Sequence, residues 1–283
     1  MTSAETTKPT KSIFSQWSPS KLKTLVQCPL QYYFKYVIKK VSDTPQTDTV
    51  ARDSGNSLHQ ILEYTFKNIP LDVAVNSVKE AFPLSSEIFD THVVPYIPNI
   101  VNFKHRIDDF SSRNPISKIV PEMKLGVRKD WSACGFFDED VYYRGIVDLT
   151  LLMENGDVII IDHKSGGTAE YSLRNYESQL RPYKVLQHSK FPGRNKFISG
   201  IHFIREGTVK LGEPTEVSEV ETHLRAELDF SILDAVQTVV EQGEFKHKRG
   251  PYCKYCDFDA LCKAKEYKQF EEESREVLVG IDV

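Results

Sequence analysis

Two acidic residues and a lysine follow apolar segments near the middle of the chain. Asp148 comes directly after Gly145-Ile146-Val147, and Asp162 ends the apolar run Val158–Ile161, with Lys164 two residues further on. Residues i and i+2 of a strand project to the same side, so Asp162 and Lys164 are expected to point together. Charges at the end of a buried strand are costly unless they are paired or used. The pattern therefore marks a candidate site.

Two carboxylates and one ammonium group around a point suit metal-assisted hydrolysis of a phosphodiester. The carboxylates can hold a hard divalent cation, which generates and orients the attacking water. The lysine can offset the charge that develops on the phosphate. The alternative for Asp162 and Lys164 alone is a salt bridge at the end of a strand, which is common. The neighbouring motifs help to distinguish a hydrolytic site from a structural salt bridge.

Length and composition restrict the class of protein. The chain has 283 residues, enough for one large domain or for a core with an insertion, and 40% are hydrophobic and 27% charged, as in soluble globular proteins. The N-terminal segment lacks the apolar stretch of a signal peptide, and no apolar run approaches the roughly 20 residues of a membrane span. We therefore expect a cytoplasmic protein without a membrane segment, with a disordered leader over residues 1–17.

The charge distribution is more informative than the net charge of −4, which does not indicate a nucleic-acid-binding protein. Residues 1–40 carry seven lysines and one acidic residue, Glu5, and aromatic residues such as Trp17 and Tyr36 are interleaved with the lysines. This composition suits a phosphate backbone and unstacked bases. The alternative is a helix with solvated lysines on one face and core aromatics on the other.

Five cysteines are present, and three of them form the compact cluster Cys253-x2-Cys256-x5-Cys262. An odd number in a cytoplasmic chain favours metal binding or chemistry over a disulfide framework. The cluster needs a fourth ligand, for which Cys28 and Cys134 are the candidates. Four thiolates suit zinc or a 4Fe–4S cluster, and Cys28 would tie the first helix to the C-terminal segment. Buried free thiols are the alternative.

Apolar spacing and punctuating residues predict the secondary structure. The predicted elements are a helix beginning at Ser18-Pro19, a helix over 29–40, a loop over 42–53, a helix over 54–67, proline-broken helices over 69–118, strands over 119–128, 140–153 and 157–163, a helix over 171–189, a strand over 196–205, a helix over 219–242 and a charged tail over 264–283. The Asn155-Gly156 pair predicts a hairpin between the second and third strands.

Six motifs occur in a fixed order. They are Ser20-Lys21-Leu22 through Cys28-Pro29, Gly55-x3-His59-x3-Glu63, Gly145-x2-Asp148, Asp162-His163-Lys164-Ser165-Gly166, Gln179-x3-Tyr183 and Cys253-x2-Cys256-x5-Cys262. Together they resemble the RecB-like branch of the PD-(D/E)XK nuclease superfamily, specifically its iron–sulfur members. Those members include the AddB nuclease domain and the small CRISPR-adaptation nucleases. The resemblance runs from Ser18 to Cys262, with a gap over 69–118.

The resemblance implies an α/β fold with a restriction-endonuclease-like core. Its mixed central sheet would be flanked by helices, with a helical insertion over 69–118 and a C-terminal cysteine clasp. The whole would form one nuclease domain over residues 18–263, followed by a tail.

The resemblance also implies the roles of individual residues. One or two Mg2+ or Mn2+ ions would be held by His59, Asp148, Asp162 and the backbone carbonyl of His163. Lys164 would orient the water and stabilise the transition state, and Glu122 on the preceding strand would orient Lys164 or a second metal. Gln179 and Tyr183 would touch the DNA backbone, although Pro182 between them predicts a kink or a later helix start.

The cysteine clasp would hold a structural 4Fe–4S cluster on Cys28, Cys253, Cys256 and Cys262, with zinc as the alternative metal. The implied function is that of a metal-dependent DNA nuclease acting on single strands or duplex ends. A helicase or a recombination or CRISPR protein would be its partner. The rival hypothesis is a catalytically silent protein that binds DNA ends or serves as an adaptor and keeps the fold.

Overall fold

The computed structural model describes residues 13–41, 49–166, 174–279 and 281, which fall into two compact units. The larger unit contains the described residues from 49 to 228, and the smaller unit contains 13–41 together with those from 229 onward. The predicted single domain over 18–263 stays a prediction, because these residues are divided between the two units.

Parts of several predicted elements lie outside the described residues. They are residues 1–12 of the leader, 42–48 of the loop, 171–173 of the helix and 280, 282 and 283 of the tail.

A mixed β-sheet forms the centre of the larger unit. Its strands are β1 (Ile116–Val127), β2 (Ala133–Cys134), β3 (Tyr143–Met153), β4 (Val158–Lys164), β5 (Lys196–Phe203), β6 (Thr208–Leu211) and β7 (Thr215–Glu216). They lie in the order β2-β1-β3-β4-β5-β6, and β7 pairs with β5. The β4–β5 pair is parallel and the others are antiparallel. The mixed sheet is as predicted, whereas β6 and β7 are too short to stand out in the sequence.

The hairpin between β3 and β4 confirms the Asn155-Gly156 signal. Gly156 has a φ of 92°, a left-handed conformation that glycine adopts without a side-chain penalty. The Asn155 side chain accepts from the amide of Asp157 at 3.0 Å, which closes the turn. The turn sets the register in which Leu152 faces Val158 and Leu149 faces Ile161.

Helices of the larger unit precede and follow the strands. They are α3 (Thr49–Phe66), α4 (Leu71–Ala81), α5 (Ser86–His92), α6 (Ile97–Arg113), α7 (Arg174–Lys190), α8 (Val217–Glu219) and α9 (Arg225–Gln242), whose last part belongs to the smaller unit. The predicted loop is wrong for residues 49–53, which are the first turns of α3. The segment looked like a loop because it is mostly polar. Its residues Ala51 and Arg52 are in fact exposed on the surface of the helix.

The core of the larger unit lies where α3 and α6 cover the sheet. Leu58 and Ile61 of α3 and Phe103 of α6 pack with Leu149 and Ile161 of the strands. Residues 158–163 of β4 are all buried, as expected for a strand covered on both faces. The core thus holds β3 and β4 against α3.

Helix α7 contacts β1, β3, β4 and β5 and continues through Pro182. A Cβ atom at Gly145 of β3 would lie 2.9 Å from the ring of Tyr183 and 3.0 Å from Leu186, so glycine allows the close approach of helix and strand. Gln187 donates to the Thr150 hydroxyl at 2.6 Å. The later helix start is therefore wrong, because α7 begins at Arg174, whereas the kink at Pro182 stays a prediction.

The smaller unit is mainly helical. Its elements are α1 (Pro19–Gln27), α2 (Pro29–Tyr32), a π-helical turn (Tyr33–Val37), a 3-10 turn (Pro251–Tyr255), α10 (Asp259–Lys263) and α11 (Tyr267–Leu278). Helix α1 begins as predicted, because the Ser18 hydroxyl accepts from the amide of Lys21 at 3.2 Å and Pro19 occupies the first turn.

The aromatic residues of the N-terminal segment form the core of the smaller unit. Trp17, Tyr32 and Phe34 are buried, and Tyr32 stacks on Phe245 with ring centroids 6.2 Å apart. The ammonium of Lys21 lies 5.6 Å from the Trp17 and Tyr32 ring centroids. The expectation that these rings meet unstacked bases is wrong, because burial takes their faces out of solvent.

Among the described residues, no helix has the length and apolar character needed to cross a membrane.

Candidate active site

The two predicted acids meet where the pairing of β3 with β4 ends. The last backbone pair is Leu149 with Ile161, and beyond it the amide of His163 donates to the carboxylate of Asp148, with N to Oδ2 at 2.7 Å. The Asp148 side chain thus takes the place of a backbone acceptor. This contact holds Asp148 beside the end of β4, where Asp162 and Lys164 lie.

Asp162, Lys164 and Gln179 form a closed ring of polar contacts. Lys164 Nζ lies 2.7 Å from Asp162 Oδ2 and donates to Gln179 Oε1 at 3.0 Å, while Gln179 Nε2 donates to Asp162 Oδ1 at 2.8 Å. Asp162 is buried and Lys164 is half-buried. The expected pairing of residues i and i+2 is present, and α7 fixes it through Gln179.

Gln179 and Tyr183 have surroundings that differ from the predicted contact with DNA. The amide of Gln179 is engaged with Asp162 and Lys164, and its Nε2 lies 3.5 Å from the hydroxyl of Tyr183. Tyr183 is only 6% exposed, against the sheet. The predicted contact of both residues with DNA stays a prediction.

Three side chains offer ligand atoms to one point. A nitrogen of His59 and carboxylate oxygens of Glu122 and Asp148 lie within 4.8 Å of one another, and His59 Nδ1 is 3.6 Å from Asp148 Oδ2. Two carboxylates and an imidazole suit a divalent ion such as Mg2+ or Mn2+. Asp162 does not belong to this group, because its oxygens face Lys164 and Gln179. Its predicted role as a ligand stays a prediction.

Glu122 reaches the group through an unusual backbone conformation. It lies in β1 between the pairs Pro121–Leu149 and Met123–Val147 and has a φ of 47°. A non-glycine residue in this region costs on the order of 1–3 kcal/mol and is concentrated at functional sites. The strained backbone places the carboxylate opposite Asp148.

Burial disfavours the charged form of each of the three carboxylates. Burial and the charge of Asp148 raise the pKa of Glu122 to about 7. Burial raises the pKa of Asp148 to about 6, and burial together with Asp148 raises that of Asp162 to about 6. Lys164 opposes the last two shifts without cancelling them. Such an acidic set is expected where a bound cation completes the charge balance.

The histidines separate into one that faces the site and two that lie behind it. Burial lowers the pKa of His59, so the ring is neutral, the form that binds metals; a hydrogen bond to the backbone of His163 opposes this shift. His163 and His202 are buried with their Nδ1 atoms 3.1 Å apart, and His202 stacks on Phe103. The backbone of His163 thus faces the site, which agrees with the expected role of its carbonyl.

A cleft of about 510 Å³ opens onto the metal-binding group. The lining includes Gly55, Asn56 and Ser165, as well as Arg52 and Phe82, which the sequence did not indicate. Arg52 lies three residues before Gly55, so helical spacing places it near the cleft face of α3 once residues 49–53 are known to be helical. Phe82 follows α4 in the predicted helical insertion.

The four cysteines of the predicted clasp lie within electrostatic range of one another. Burial raises the pKa of Cys256 to about 11, and Cys28 and Cys262 add to the shift; burial likewise raises that of Cys262 to about 11, with Cys28 and Cys253 adding. The amide of Lys248 donates to Cys28 Sγ at 3.4 Å, and that of Gly250 to Cys253 Sγ at 3.2 Å. Amide donors of this kind are compatible with thiolate ligands, and the four-cysteine clasp stays a prediction.

Cys134 belongs to the larger unit, at the edge strand β2. Its sulfur and carboxylate oxygens of Asp138 and Asp140 lie within 4.8 Å of one another. Arg128 compensates these acids: its Nε lies 2.5 Å from Asp140 Oδ2 and its Nη2 3.6 Å from Asp138 Oδ2.

Comparison with known proteins gives one extensive match. The family model described as the PD-(D/E)XK nuclease superfamily matches residues 16–263. Among solved structures, a candidate exonuclease from Eubacterium rectale is similar at 10% identity over 84% of this chain and 88% of that chain, with a TM-score of 0.43. The protein SSO0001 is 17% identical over 87% and 95% of the two chains, with a TM-score of 0.32. No curated protein matches the chain.

We expect Glu122→Gln to stabilise the metal-free protein at pH 8. The raised pKa means that the fold disfavours the charged carboxylate, so wild type loses stability as the pH rises from about 5 through 7, and the variant does not. With allowance for partial exposure, the gain is about 1 kcal/mol. Thermal unfolding in EDTA at pH 5 and pH 8 measures it, with Glu154→Gln, an exposed site, as control. If the stability difference between Glu122→Gln and wild type were equal at pH 5 and pH 8, the electrostatic origin of the stabilisation would be contradicted.

We expect Gly55→Ala to destabilise the protein, although alanine favours helices over glycine by about 1 kcal/mol. A Cβ atom at this position would lie 2.6 Å from the Ser165 hydroxyl, too close for normal contact. Ser165→Gly in the same chain should recover part of the loss by removing that hydroxyl. Chemical denaturation of the single and double variants measures both effects, and a stabilised single variant would refute the close approach of α3 to Ser165.

Proposed function

Because the chain belongs to the PD-(D/E)XK nuclease superfamily, we propose that it is a Mg2+- or Mn2+-dependent DNA nuclease. The observation that carries the proposal is the convergence of His59, Glu122 and Asp148 beside the Asp162–Lys164 pair. One group of side chains can hold a divalent cation, and the other holds an ammonium group next to it. Hydrolysis of a phosphodiester uses both.

Each residue of the metal-binding group has a defined task. The neutral ring of His59 and the carboxylates of Glu122 and Asp148 bind the ion, and the His163 backbone carbonyl lies close enough to His59 to join them. When bound, the ion supplies an activated water and offsets charge on the phosphate. The Asp148 oxygen that accepts from the His163 amide stays oriented, because that contact is part of the sheet.

Lys164 acts on the phosphate as a fixed cation. Asp162 Oδ2 lies 2.7 Å from the Nζ atom, and Gln179 restricts the direction of that atom. An ammonium group held in place needs little reorganisation when negative charge develops on the phosphate oxygens. Asp162 and Gln179 therefore serve catalysis by positioning Lys164.

We propose that Cys28, Cys253, Cys256 and Cys262 bind a 4Fe–4S cluster with a structural role. The electrostatic influence of Cys28 on Cys256 and Cys262 and the amide donors to Cys28 and Cys253 support this assignment. Cluster-bound sulfur is accompanied by amide hydrogen bonds in such sites. Zinc is the alternative occupant, and an absorbance spectrum distinguishes the two because only the iron–sulfur protein is coloured.

The substrate class of the proposed nuclease is single-stranded DNA or duplex ends, cleaved as an exonuclease. A helicase or a recombination or CRISPR protein is the proposed partner. The rival function is a silent DNA-end-binding protein. The intact contact between Asp162 and Lys164 speaks against it.

We expect Asp162→Ala and Lys164→Ala each to lower DNA hydrolysis by at least about 100-fold. Lys164→Ala removes the preorganised cation at the reacting phosphate, and Asp162→Ala removes the carboxylate that positions it. The assay is digestion of end-labelled single-stranded, blunt and circular DNA in Mg2+ and Mn2+. Asp90→Ala and Lys118→Ala, at exposed positions, are the matched controls. Cleavage near the wild-type rate in either variant would refute the assignment, and DNA binding without cleavage by wild type would favour the silent rival.

We expect Cys28→Ser to lose the visible absorbance and to lower the unfolding temperature, because serine is a poor iron ligand and the clasp joins α1 to the C-terminal segment. Iron content and thermal unfolding are the measurements. Cys134→Ser is the control and should keep both. The ligand assignment fails if Cys28→Ser keeps its full iron content or if Cys134→Ser loses it.

A further inference from the structure

A short row of cationic and aromatic side chains leads away from the metal-binding group. Lys124 of β1 lies two residues after Glu122, and its ammonium is 5.5 Å from the centroid of the Phe137 ring. Phe136 and Phe137 meet edge to face, with centroids 5.0 Å apart. We call Lys124, Phe136 and Phe137 the aromatic–basic strip.

Phe137 has no packing role that accounts for its position. Its side chain is 75% exposed, whereas aromatic residues such as Phe103 and Phe203 are buried. A single exposed apolar residue is common, but a ring presented together with a cation is a surface suited to a ligand. The exposed face of Phe137 is available for stacking.

Arg144 of β3 restrains the strip through two contacts with Phe136. Its guanidinium carbon lies 4.9 Å from the Phe136 ring centroid, and its Nη1 donates to the Phe136 carbonyl at 3.1 Å. Arg144 thereby holds the backbone next to Phe137. A ring on a braced segment loses less conformational freedom on binding than one on a free loop.

The strip is continuous with the proposed catalytic centre. Lys124 lies two residues after Glu122 on the same strand, β1. Two residues along a strand span about 7 Å. The distance from the metal-binding group to Lys124 is therefore on the scale of neighbouring phosphates in one strand.

Acidic residues that follow the strip have partners of their own. Asp138 accepts from the amide of Gly135 at 2.7 Å, and Arg128 pairs with Asp138 and Asp140. These contacts offset part of the negative charge near Phe137, and the ammonium of Lys124 lies 5.5 Å from the centroid of its ring.

We propose that the aromatic–basic strip binds the single-stranded DNA that adjoins the metal-binding group. Lys124 contacts a phosphate, and the exposed face of Phe137 stacks on an unstacked base. The bases of a duplex are already stacked on one another, so Phe137 favours single strands. This proposal rests on the proposed nuclease function and identifies residues that select its substrate.

The test is the affinity for a fluorescent single-stranded 20-mer and for the matched blunt duplex, measured by anisotropy in Ca2+, which takes the same oxygen ligands as Mg2+. Phe137→Ala should weaken binding of the single strand by about fivefold or more and that of the duplex by less than about twofold. Phe137→Trp keeps a stacking surface and should bind the single strand with about the wild-type affinity. Phe230→Ala is the matched control, because Phe230 is 68% exposed on α9.

Salt dependence separates the role of Lys124 from that of Phe137. Lys124→Gln should reduce the slope of log K against log salt by about 0.7, the value for one phosphate contact on a single strand, whereas Phe137→Ala should leave the slope unchanged. Lys118→Gln, an exposed position of the same strand, is the control and should change neither affinity nor slope. Thermal unfolding of every variant verifies the fold.

The strip is refuted if Phe137→Ala weakens single strand and duplex equally, if it matches Phe230→Ala, or if Lys124→Gln leaves the salt slope at the wild-type value. Cleavage of the same single strand by wild type in Mn2+ tests the nuclease proposal separately. If wild type binds but does not cleave, the catalytic proposal fails and the affinities still decide whether the strip binds DNA.

Discussion

Burial of the carboxylates of Glu122, Asp148 and Asp162 in one region is the constraint to which the site in the larger unit responds. Three carboxylates in a partly buried space are unfavourable unless donors and cations meet them. The compensation comes from different elements: the His163 amide serves Asp148, and Lys164 and Gln179 serve Asp162. Glu122 lies with His59 and Asp148 in the group that can hold a metal ion.

Local patterns in the sequence predicted the parts of the site that depend on local geometry. The spacing of Asp162 and Lys164 on one strand and the turn at Asn155-Gly156 follow from backbone rules, and His59 follows Gly55 by one helical turn. These rules give the direction of a side chain relative to its own element. They do not give the partner that a different element brings to it.

The remaining features arise from contacts across long sequence separations. The role of Gln179 depends on where α7 crosses the sheet, and the His163–His202 pair depends on the parallel pairing of β4 with β5. The polar start of α3 was mistaken for a loop, because polarity alone does not separate an exposed helix face from an irregular segment. The aromatic residues near the N-terminus were also ambiguous, because the sequence does not show whether their rings are buried. The packing of Tyr32 against Phe245 shows that they form a core.

The left-handed backbone of Glu122 has a consequence for the evolution of this protein. Glycine adopts that conformation freely and would also remove a disfavoured charge, so folding alone favours replacement of the glutamate. Only a benefit from the carboxylate itself can keep it there. Laboratory selection for heat resistance, applied without selection for metal binding, should drift towards glycine at this position, whereas selection for both should retain the acid and accumulate its stabilising changes elsewhere.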